Sequence, residues 1–154
     1  MFPKTIEWKG DRVFILDQRR LPEEEVYLEC PDVATVAEAI RTLAIRGAPA
    51  IGIAAAMGFA LGALRIEERD FPSFFRELLS VCDTLRQTRP TAVNLRWALQ
   101  RMKRVCEANK ETHVEVIKER LVMEALAILE EDIESNKRIG EIGKDLIQDG
   151  VTIL

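Results

Sequence analysis

One stretch of the sequence, from Ala48 to Leu64, runs for seventeen residues without a charged side chain. It is rich in alanine and glycine, and Pro49 stands near its start. Proline is favoured at the first position of a helix, because its missing N–H would have no partner there. The stretch therefore predicts an apolar helix from Pro49 to about Leu64. Because that helix has no polar face, we expect it to be buried on most of its circumference.

A membrane-spanning helix is the alternative interpretation of this stretch. Seventeen residues at ~1.5 Å each rise about 25 Å, which is short of the ~30 Å hydrocarbon core of a bilayer. Gly58 and Gly62 form a small-xxx-small pair, but such pairs also occur where the helices of a soluble core pack closely. We therefore interpret the stretch as the core helix of a soluble domain and expect no membrane partner.

Arg46, Gly47 and Ala48 lie immediately before this helix. A helix start presents unpaired N–H groups and the positive end of the helix dipole, and an arginine beside it adds a full charge and several donors. This arrangement suits a phosphate or a carboxylate. The competing interpretation is that Arg46 closes a loop between two helices and has no ligand.

A second arginine, Arg89, stands before Pro90 in a similar setting. A residue that precedes proline is driven toward extended backbone, so we expect Arg89 just outside a helix that begins near Pro90. An exposed turn arginine is the alternative. Two arginines that stand before helix starts in one small domain favour the hypothesis of a shared anion site. Its residues would be Arg46, Gly47, Ala48 and Arg89.

The remaining pattern predicts an α+β fold that is mostly α, with a small N-terminal antiparallel meander followed by a helical bundle. Capping-box spacing from Thr35 to Glu38 and from Thr112 to Glu115 marks two helix starts. The predicted strands are 5–8, 12–16 and 26–30. The other predicted helices are 36–44, one from Pro72, one from Pro90, and two helical segments after Thr112 that continue to Gly150.

The last residues, Val151 to Leu154, form an apolar run that resembles the opening of a buried strand. An unpaired hydrophobic strand is a poor end for a self-contained domain, because its free edge invites association. We therefore expect a truncated chain, with one domain over residues 1–150 and the start of a second domain at 151–154.

Composition narrows the class of protein. The chain has 154 residues and a net charge of −4, and its cations are interleaved with carboxylates, so we expect no nucleic-acid partner. The three cysteines, Cys30, Cys82 and Cys106, are an odd number without a C-x-x-C spacing, and the N-terminus lacks a secretory signal. Cytoplasm is therefore the expected location.

His113 is the only histidine and lies in a polar first turn, so we predict no metal site. The residues alone identify no nucleophile or general base.

Five segments of the chain form recognisable motifs: Leu16–Pro22, Ile45–Gly58, Arg89–Ala98, Asn136–Gly143 and Thr152–Leu154. The second and third segments are long and specific. Together the five resemble the N-terminal part of the methylthioribose-1-phosphate isomerase family, over nearly the whole chain. The wider superfamily also contains ribose-1,5-bisphosphate isomerases and regulatory subunits of a translation-initiation nucleotide-exchange factor.

The resemblance implies that Arg46, Gly47, Ala48 and Arg89 hold the substrate's phosphate, and that a Rossmann-like domain begins near Val151. It implies conversion of 5-methylthioribose 1-phosphate to the ribulose 1-phosphate in methionine salvage, by a homodimer, without a metal or redox cofactor. The family's catalytic cysteine and aspartate lie in the second domain, so the cysteines of this chain are not their equivalents. We therefore expect the chain alone to be inactive. A ribose-1,5-bisphosphate isomerase and a regulatory subunit remain the alternatives.

Overall fold

The protein is described by a computed structural model that covers residues 3–147 and 149–152. Three strands come first: β1 (Ile6–Lys9), β2 (Arg12–Leu16) and β3 (Tyr27–Cys30). They form an antiparallel sheet in the order β1-β2-β3, with Ile6 opposite Ile15 and Val13 opposite Cys30. These four side chains are buried, so one face of the sheet packs on the rest of the protein. The predicted meander is confirmed.

Five helices follow the sheet, and the predicted α+β class with a helical majority is confirmed. Each helix except α2 has an amphipathic pattern that turns its apolar face toward the core. Their bounds are α1 (Val33–Arg41), α2 (Ala48–Arg65), α3 (Phe71–Arg86), α4 (Val93–Ala108) and α5 (Val114–Gly143).

Helix α2 lies at the centre of the molecule. Every residue from Ile51 to Ala63 is buried, and the helix contacts all four other helices as well as β1 and β2. It is long and apolar enough to cross a membrane by length and composition, but 72% of that window is buried inside the protein. No other helix in the described ranges passes the same test. The predicted enclosure of this helix is confirmed.

Glycines in α2 allow the neighbouring helices to approach it closely. A Cβ atom on Gly52 would lie 3.0 Å from the backbone oxygen of Asn94 in α4. A Cβ atom on Gly62 would lie 2.6 Å from Cγ1 of Val81 in α3 and 2.8 Å from Cγ2 of Val33 in α1. The space that a larger side chain would need is therefore already occupied by its neighbours.

Two predicted capping boxes are wrong. Asp32 caps α1, because its carboxylate accepts from the N–H of Thr35 at 2.8 Å, and the helix begins at Val33. At α5 the N-cap residue is His113 without a side-chain bond. The hydroxyl of Thr112 instead donates to the carbonyl of Asn109 at 2.8 Å. At both helix starts the threonine hydroxyl donates to a nearby acceptor, which is Asp32 for Thr35 and the Asn109 carbonyl for Thr112. The capping-box spacing alone therefore did not locate the cap.

Helix α4 begins three residues later than Pro90. The N–H of Ala92 donates to the carbonyl of Arg89 at 3.0 Å, which closes a turn around Pro90 and Thr91 before the helix starts at Val93. Arg89 lies outside the helix, as predicted. The turn separates Arg89 from the first residue of the helix, Val93.

Helix α5 joins the two predicted C-terminal helices into one element of 30 residues. It ends at Gly143 and continues as a short 3₁₀ turn, Lys144–Leu146, so the predicted end at Gly150 is wrong. Val151 and Thr152 are exposed and belong to no strand. The predicted strand also includes Ile153 and Leu154, which lie outside the described residues.

Replacing Gly62 by alanine should destabilise the protein by about 1–3 kcal/mol, because the added methyl group overpacks the contact with Val81 and Val33. Gly140→Ala is the matched control, since Gly140 is helical and exposed with nothing near its Cβ position. We expect that variant to gain about 0.5–1 kcal/mol from helix propensity. Urea unfolding of both variants measures the difference. A Gly62→Ala variant as stable as the parent would contradict the close packing.

Candidate functional site

The loop before α2 carries Arg46 and is held firmly by its neighbours. Ala44 and Ile45 are fully buried, and the N–H of Ala44 donates to the carbonyl of Ala39 at 2.9 Å. Leu43 has a φ of +59° and Gly47 a φ of +93°, both in the left-handed half of backbone space. At Gly47 the backbone requires glycine's freedom, because L side chains rarely adopt this conformation.

The segment after β2 supports the same loop. The N–H of Gln18 donates to the carbonyl of Ala44 at 2.9 Å. Next to it, the buried carboxylate of Asp17 accepts two bonds from the Arg19 guanidinium, at 2.7 and 2.6 Å, and this pairing lowers the pKa of Asp17. The motif that begins at Leu16 thus contacts the Arg46 loop through a backbone hydrogen bond.

The start of α2 presents amide groups without a capping side chain. Gly47 is the N-cap residue, and the first bond of the helix runs from the N–H of Ile51 to the Gly47 carbonyl at 3.0 Å. The amides of Ala48 and Ala50 precede that bond, so the helix offers them no acceptor. Proline at position 49 has no N–H. The first turn also contains no acidic residue.

The start of α4 has the same property. Its N-cap residue is Ala92, whose methyl group cannot accept a hydrogen bond, and its first turn has no acidic residue. By contrast, Asp32 and Asp70 cap α1 and α3, and Glu115 lies in the first turn of α5. Among the helices of the described ranges, only α2 and α4 begin without an aspartate cap or a carboxylate in the first turn. The positive ends of their dipoles therefore have no such side chain to neutralise them.

These two helix starts meet at one pocket, which we call the helix-end pocket, with a volume of about 290 Å³. Arg89 is half-buried and lines this pocket, and Thr91 belongs to the same wall. The structure thus brings Arg89 together with Gly47 and Ala48. The lining residues are Gly47, Ala48, Ile51, Arg89, Thr91, Ala92, Val93 and Asn94.

Arg46 does not line the helix-end pocket. Its side chain is exposed, and its Nε donates to the carbonyl of Leu43 at 3.3 Å. Three of the four predicted site residues therefore share one pocket, and the fourth is their neighbour in the chain with its guanidinium bonded to its own loop. Whether Arg46 reaches a ligand stays a prediction.

A second pocket, which we call the apolar pocket, adjoins the first and has a volume of about 400 Å³. The two pockets share Val93 and Asn94. Sequence reasoning missed this pocket. The sequence signal for this pocket is a pair of apolar residues, Val93 and Trp97, one helical turn apart. In the structure their side chains are 65% and 44% exposed. The lining residues are Pro49, Gly52, Ile53, Val93, Asn94, Trp97, Ile128, Glu131, Asp132 and Ser135.

Arg101 organises one wall of the apolar pocket. Its guanidinium binds Glu131 through two bonds of 2.5 and 2.6 Å, and its Nε donates to Glu124 at 2.5 Å. These bonds raise the pKa of Arg101 and lower the pKa of Glu131. The same guanidinium lies 5.5 Å from the ring centroid of Trp97, within cation–π range.

The three thiols do not suit nucleophilic chemistry. Cys30 and Cys106 are buried, and desolvation raises their pKa to about 11 and about 12. Cys82 is half-buried with a raised pKa and lies in a groove between α3 and α4, apart from both pockets. His113 is exposed at the start of α5, as predicted. Within the described residues no group of three metal-ligating side chains occurs.

We expect the three thiols to react in a defined order with dithiobis-nitrobenzoate at about pH 8, near the ordinary cysteine pKa. Cys82 should react first, because Cys30 and Cys106 are buried and hold their protons until a higher pH. A raised pKa leaves less thiolate at any given pH, so the slow phases should accelerate as pH rises. Cys82→Ser should remove the fast phase. Equal rates for all three native thiols would contradict the described burial.

Comparison with known proteins shows which family this chain resembles. The model of the initiation factor 2 subunit family matches residues 44–154. A methylthioribose-1-phosphate isomerase of Geobacter sulfurreducens is 54% identical over 98% of this chain and 44% of its own length. One from Fervidobacterium nodosum is 49% identical over 97% of this chain and 43% of its own length. The chain therefore spans less than half the length of these relatives.

Two solved structures share the fold. The 5-methylthioribose 1-phosphate isomerase of Pyrococcus horikoshii has a TM-score of 0.93 and 40% identity, covering 97% of this chain and 42% of that one. Subunit delta of translation initiation factor eIF-2B from A. fulgidus has a TM-score of 0.85 and 41% identity, covering 96% and 42%.

Proposed function

Because the chain belongs to the initiation factor 2 subunit family, and its relatives include named isomerases, we propose that it is the phosphate-binding part of a sugar-phosphate isomerase. The reaction that we propose for the whole protein converts 5-methylthioribose 1-phosphate to 5-methylthioribulose 1-phosphate in methionine salvage. In this proposal the helix-end pocket holds the phosphate.

The observation that carries the proposal is the meeting of two uncapped helix starts at one pocket beside Arg89. Each start directs N–H groups and a partial positive charge outward, and a guanidinium adds charge-assisted hydrogen bonds. An anion with several oxygens can accept from both helix ends and from Arg89 at once. A phosphate therefore fits this pocket better than a neutral ligand does.

The proposed reaction explains why a phosphate clamp is needed. A phosphate on the anomeric carbon keeps the sugar ring closed, so the substrate must be held in position while the ring oxygen is protonated. The described thiols are unsuited to that chemistry because they are buried or retain their protons. In this proposal the present chain positions the substrate, and the remainder of a longer protein supplies the acid and base.

A regulatory subunit of a translation-initiation factor is the rival function, supported by the similarity to the A. fulgidus structure. Binding of the sugar phosphate separates the two functions. The rival requires no affinity for methylthioribose 1-phosphate, whereas the isomerase requires it.

Arg89→Ala should weaken binding of methylthioribose 1-phosphate by roughly 10- to 150-fold, the usual loss for a charge-assisted bond of ~1.5–3 kcal/mol. Isothermal titration of the 154-residue chain measures the change. Arg86→Ala is the matched control, since that exposed arginine is three residues away and lines a different groove. We expect the control to bind like the parent and both variants to melt near the parent, because surface substitutions usually cost within ~0.5 kcal/mol.

Arg46→Ala tests the remaining predicted residue in the same titration. A loss of affinity as large as that of Arg89→Ala would mean that the Arg46 guanidinium leaves the Leu43 carbonyl and binds the ligand instead. Unchanged affinity would remove Arg46 from the site and leave the helix-end pocket intact. An Arg89→Ala variant that binds as tightly as the parent would refute the phosphate site itself.

A further inference from the structure

The groove between α3 and α4 carries a concentration of positive charge that the proposed function does not involve. Because the floor of this α3–α4 groove is apolar, we infer that it binds a small amphipathic anion. Such a ligand has a compact apolar body that carries a phosphate or a carboxylate. The groove shares no lining residue with the helix-end pocket, so both sites can be occupied at the same time.

The groove lies between two antiparallel helices. Its walls come from α3 between Leu79 and Arg86 and from α4 between Arg96 and Lys103, and at ~1.5 Å per residue each wall is about 11 Å long. Nζ of Lys103 lies 5.8 Å from the ring centroid of Phe75, whereas the short connection 87–92 joins the end of α3 to the start of α4. Arg86 and Arg96 therefore stand at one end of the groove and Lys103 at the other.

The floor of the groove is apolar. Leu99 is buried, and Leu79 and Cys82 are half-buried. An aliphatic or aromatic body that covers these side chains removes apolar surface from water on both partners. The volume is about 250 Å³, just below the ~300 Å³ at which pockets for drug-sized ligands begin. The floor therefore favours a small organic anion over inorganic phosphate.

The rim of the groove is positively charged. Arg86, Arg96 and Lys103 line it, and Asp83 is the one carboxylate among the lining residues that the structure describes. This local excess of cations runs against the net charge of −4 of the whole chain. A concave surface with one dominant sign of charge raises the local concentration of ligands of the opposite sign. The rim therefore selects an anion.

The three cations of the rim have only distant partners inside the protein. Arg86 approaches the Asp83 carboxylate to 3.8 Å, and Lys103 approaches Glu107 to 3.9 Å. Arg96 takes part in no ion pair within the described ranges. Guanidinium groups elsewhere in the chain bind carboxylates at 2.5–2.7 Å. The donors of the groove are therefore available for short, charge-assisted bonds to a ligand.

The thiol of Cys82 lies on the floor among these charges. Burial raises the pKa of Cys82 and Asp83 adds to that effect, whereas Arg86 and Lys103 oppose it. An anion held by the rim would cover the thiol from the open side of the groove. The alkylation rate of Cys82 therefore reports whether the groove is occupied.

Protection of Cys82 from iodoacetamide measures binding on the 154-residue chain, with mass spectrometry to identify the alkylated peptide. Iodoacetamide is uncharged, so it does not compete for the cations. We expect saturating phenyl phosphate to slow the reaction by roughly 5-fold or more, because the bound ring contacts the thiol. Inorganic phosphate lacks the ring and benzyl alcohol lacks the charge. Each should need a roughly 10-fold higher concentration for the same protection.

Four variants test the role of the charges. Arg96→Ala should raise the phenyl phosphate concentration for half protection by roughly 10-fold, the low end for loss of a charge-assisted bond. Lys103→Met keeps the apolar stem and should raise it by roughly 3-fold, whereas Asp83→Asn removes a like charge and should lower it by roughly 3-fold. Arg104→Ala is the matched control, since Arg104 is exposed on α4 outside the groove. We expect the control to be protected like the parent.

Two arginines that lie three residues apart separate this groove from the helix-end pocket. Arg86→Ala should weaken protection of Cys82 by phenyl phosphate and leave the affinity for methylthioribose 1-phosphate unchanged. Arg89→Ala should have the reverse pattern. Loss of Cys82 protection in Arg89→Ala would mean that phenyl phosphate acts from the helix-end pocket, which would overturn the inference and leave the proposed function standing.

Phenylacetate, a carboxylate of similar size, identifies the preferred head group. Protection by both compounds supports organic anions in general, and protection by only one of them assigns the groove to phosphate esters or to carboxylates. Protection by neither compound overturns the inference. So does inorganic phosphate that protects as well as phenyl phosphate, or an effect of Arg104→Ala equal to that of Arg96→Ala. Melting followed by circular dichroism checks that each variant is folded, and Lys103→Met carries the test if Arg96→Ala is not.

Discussion

The enclosure of α2 is the constraint on which the rest of the structure depends. A helix without a polar face must be covered on every side, and here four helices and two strands share that task. Its glycines set the distances, because α4 approaches the backbone at Gly52 while α1 and α3 approach at Gly62. The hydrophobic effect supplies the driving force, and the small side chains determine how closely the neighbours pack.

The same enclosure forms the candidate site. Because α4 packs against the first turns of α2 at Gly52, residues from the starts of both helices line one pocket. A carboxylate cap at either end would occupy one of these amides and place a negative charge where an anion would bind. The other described helices carry an aspartate cap or an early glutamate. The absence of such groups at α2 and α4 therefore separates structural helix starts from the candidate binding site.

Local sequence signals predicted much of this arrangement, and their errors have a common cause. The apolar run, the proline positions and the strand patterns identified α2, the Arg46 corner and the meander. Thr35 and Thr112 were misassigned as caps because capping-box spacing does not reveal that Asp32 or the Asn109 carbonyl competes for the same groups. Trp97 was missed as a pocket wall because the other walls come from Ile53 in α2 and Ile128 in α5, which local sequence patterns do not place beside it.

The amino-acid sequence alone requires a buried helix after Arg46, since seventeen uncharged residues have no alternative to a core once a membrane span is set aside. It also requires Arg89 to stand outside a helix, because of the proline that follows. The packing of the helices is what brings Arg89 together with Gly47 and Ala48 in one pocket and places Val93 and Trp97 at a second pocket beside it. The physical reason is that local backbone preferences act over a few residues, whereas these residues are joined only by the packing of α4 and α5 on α2.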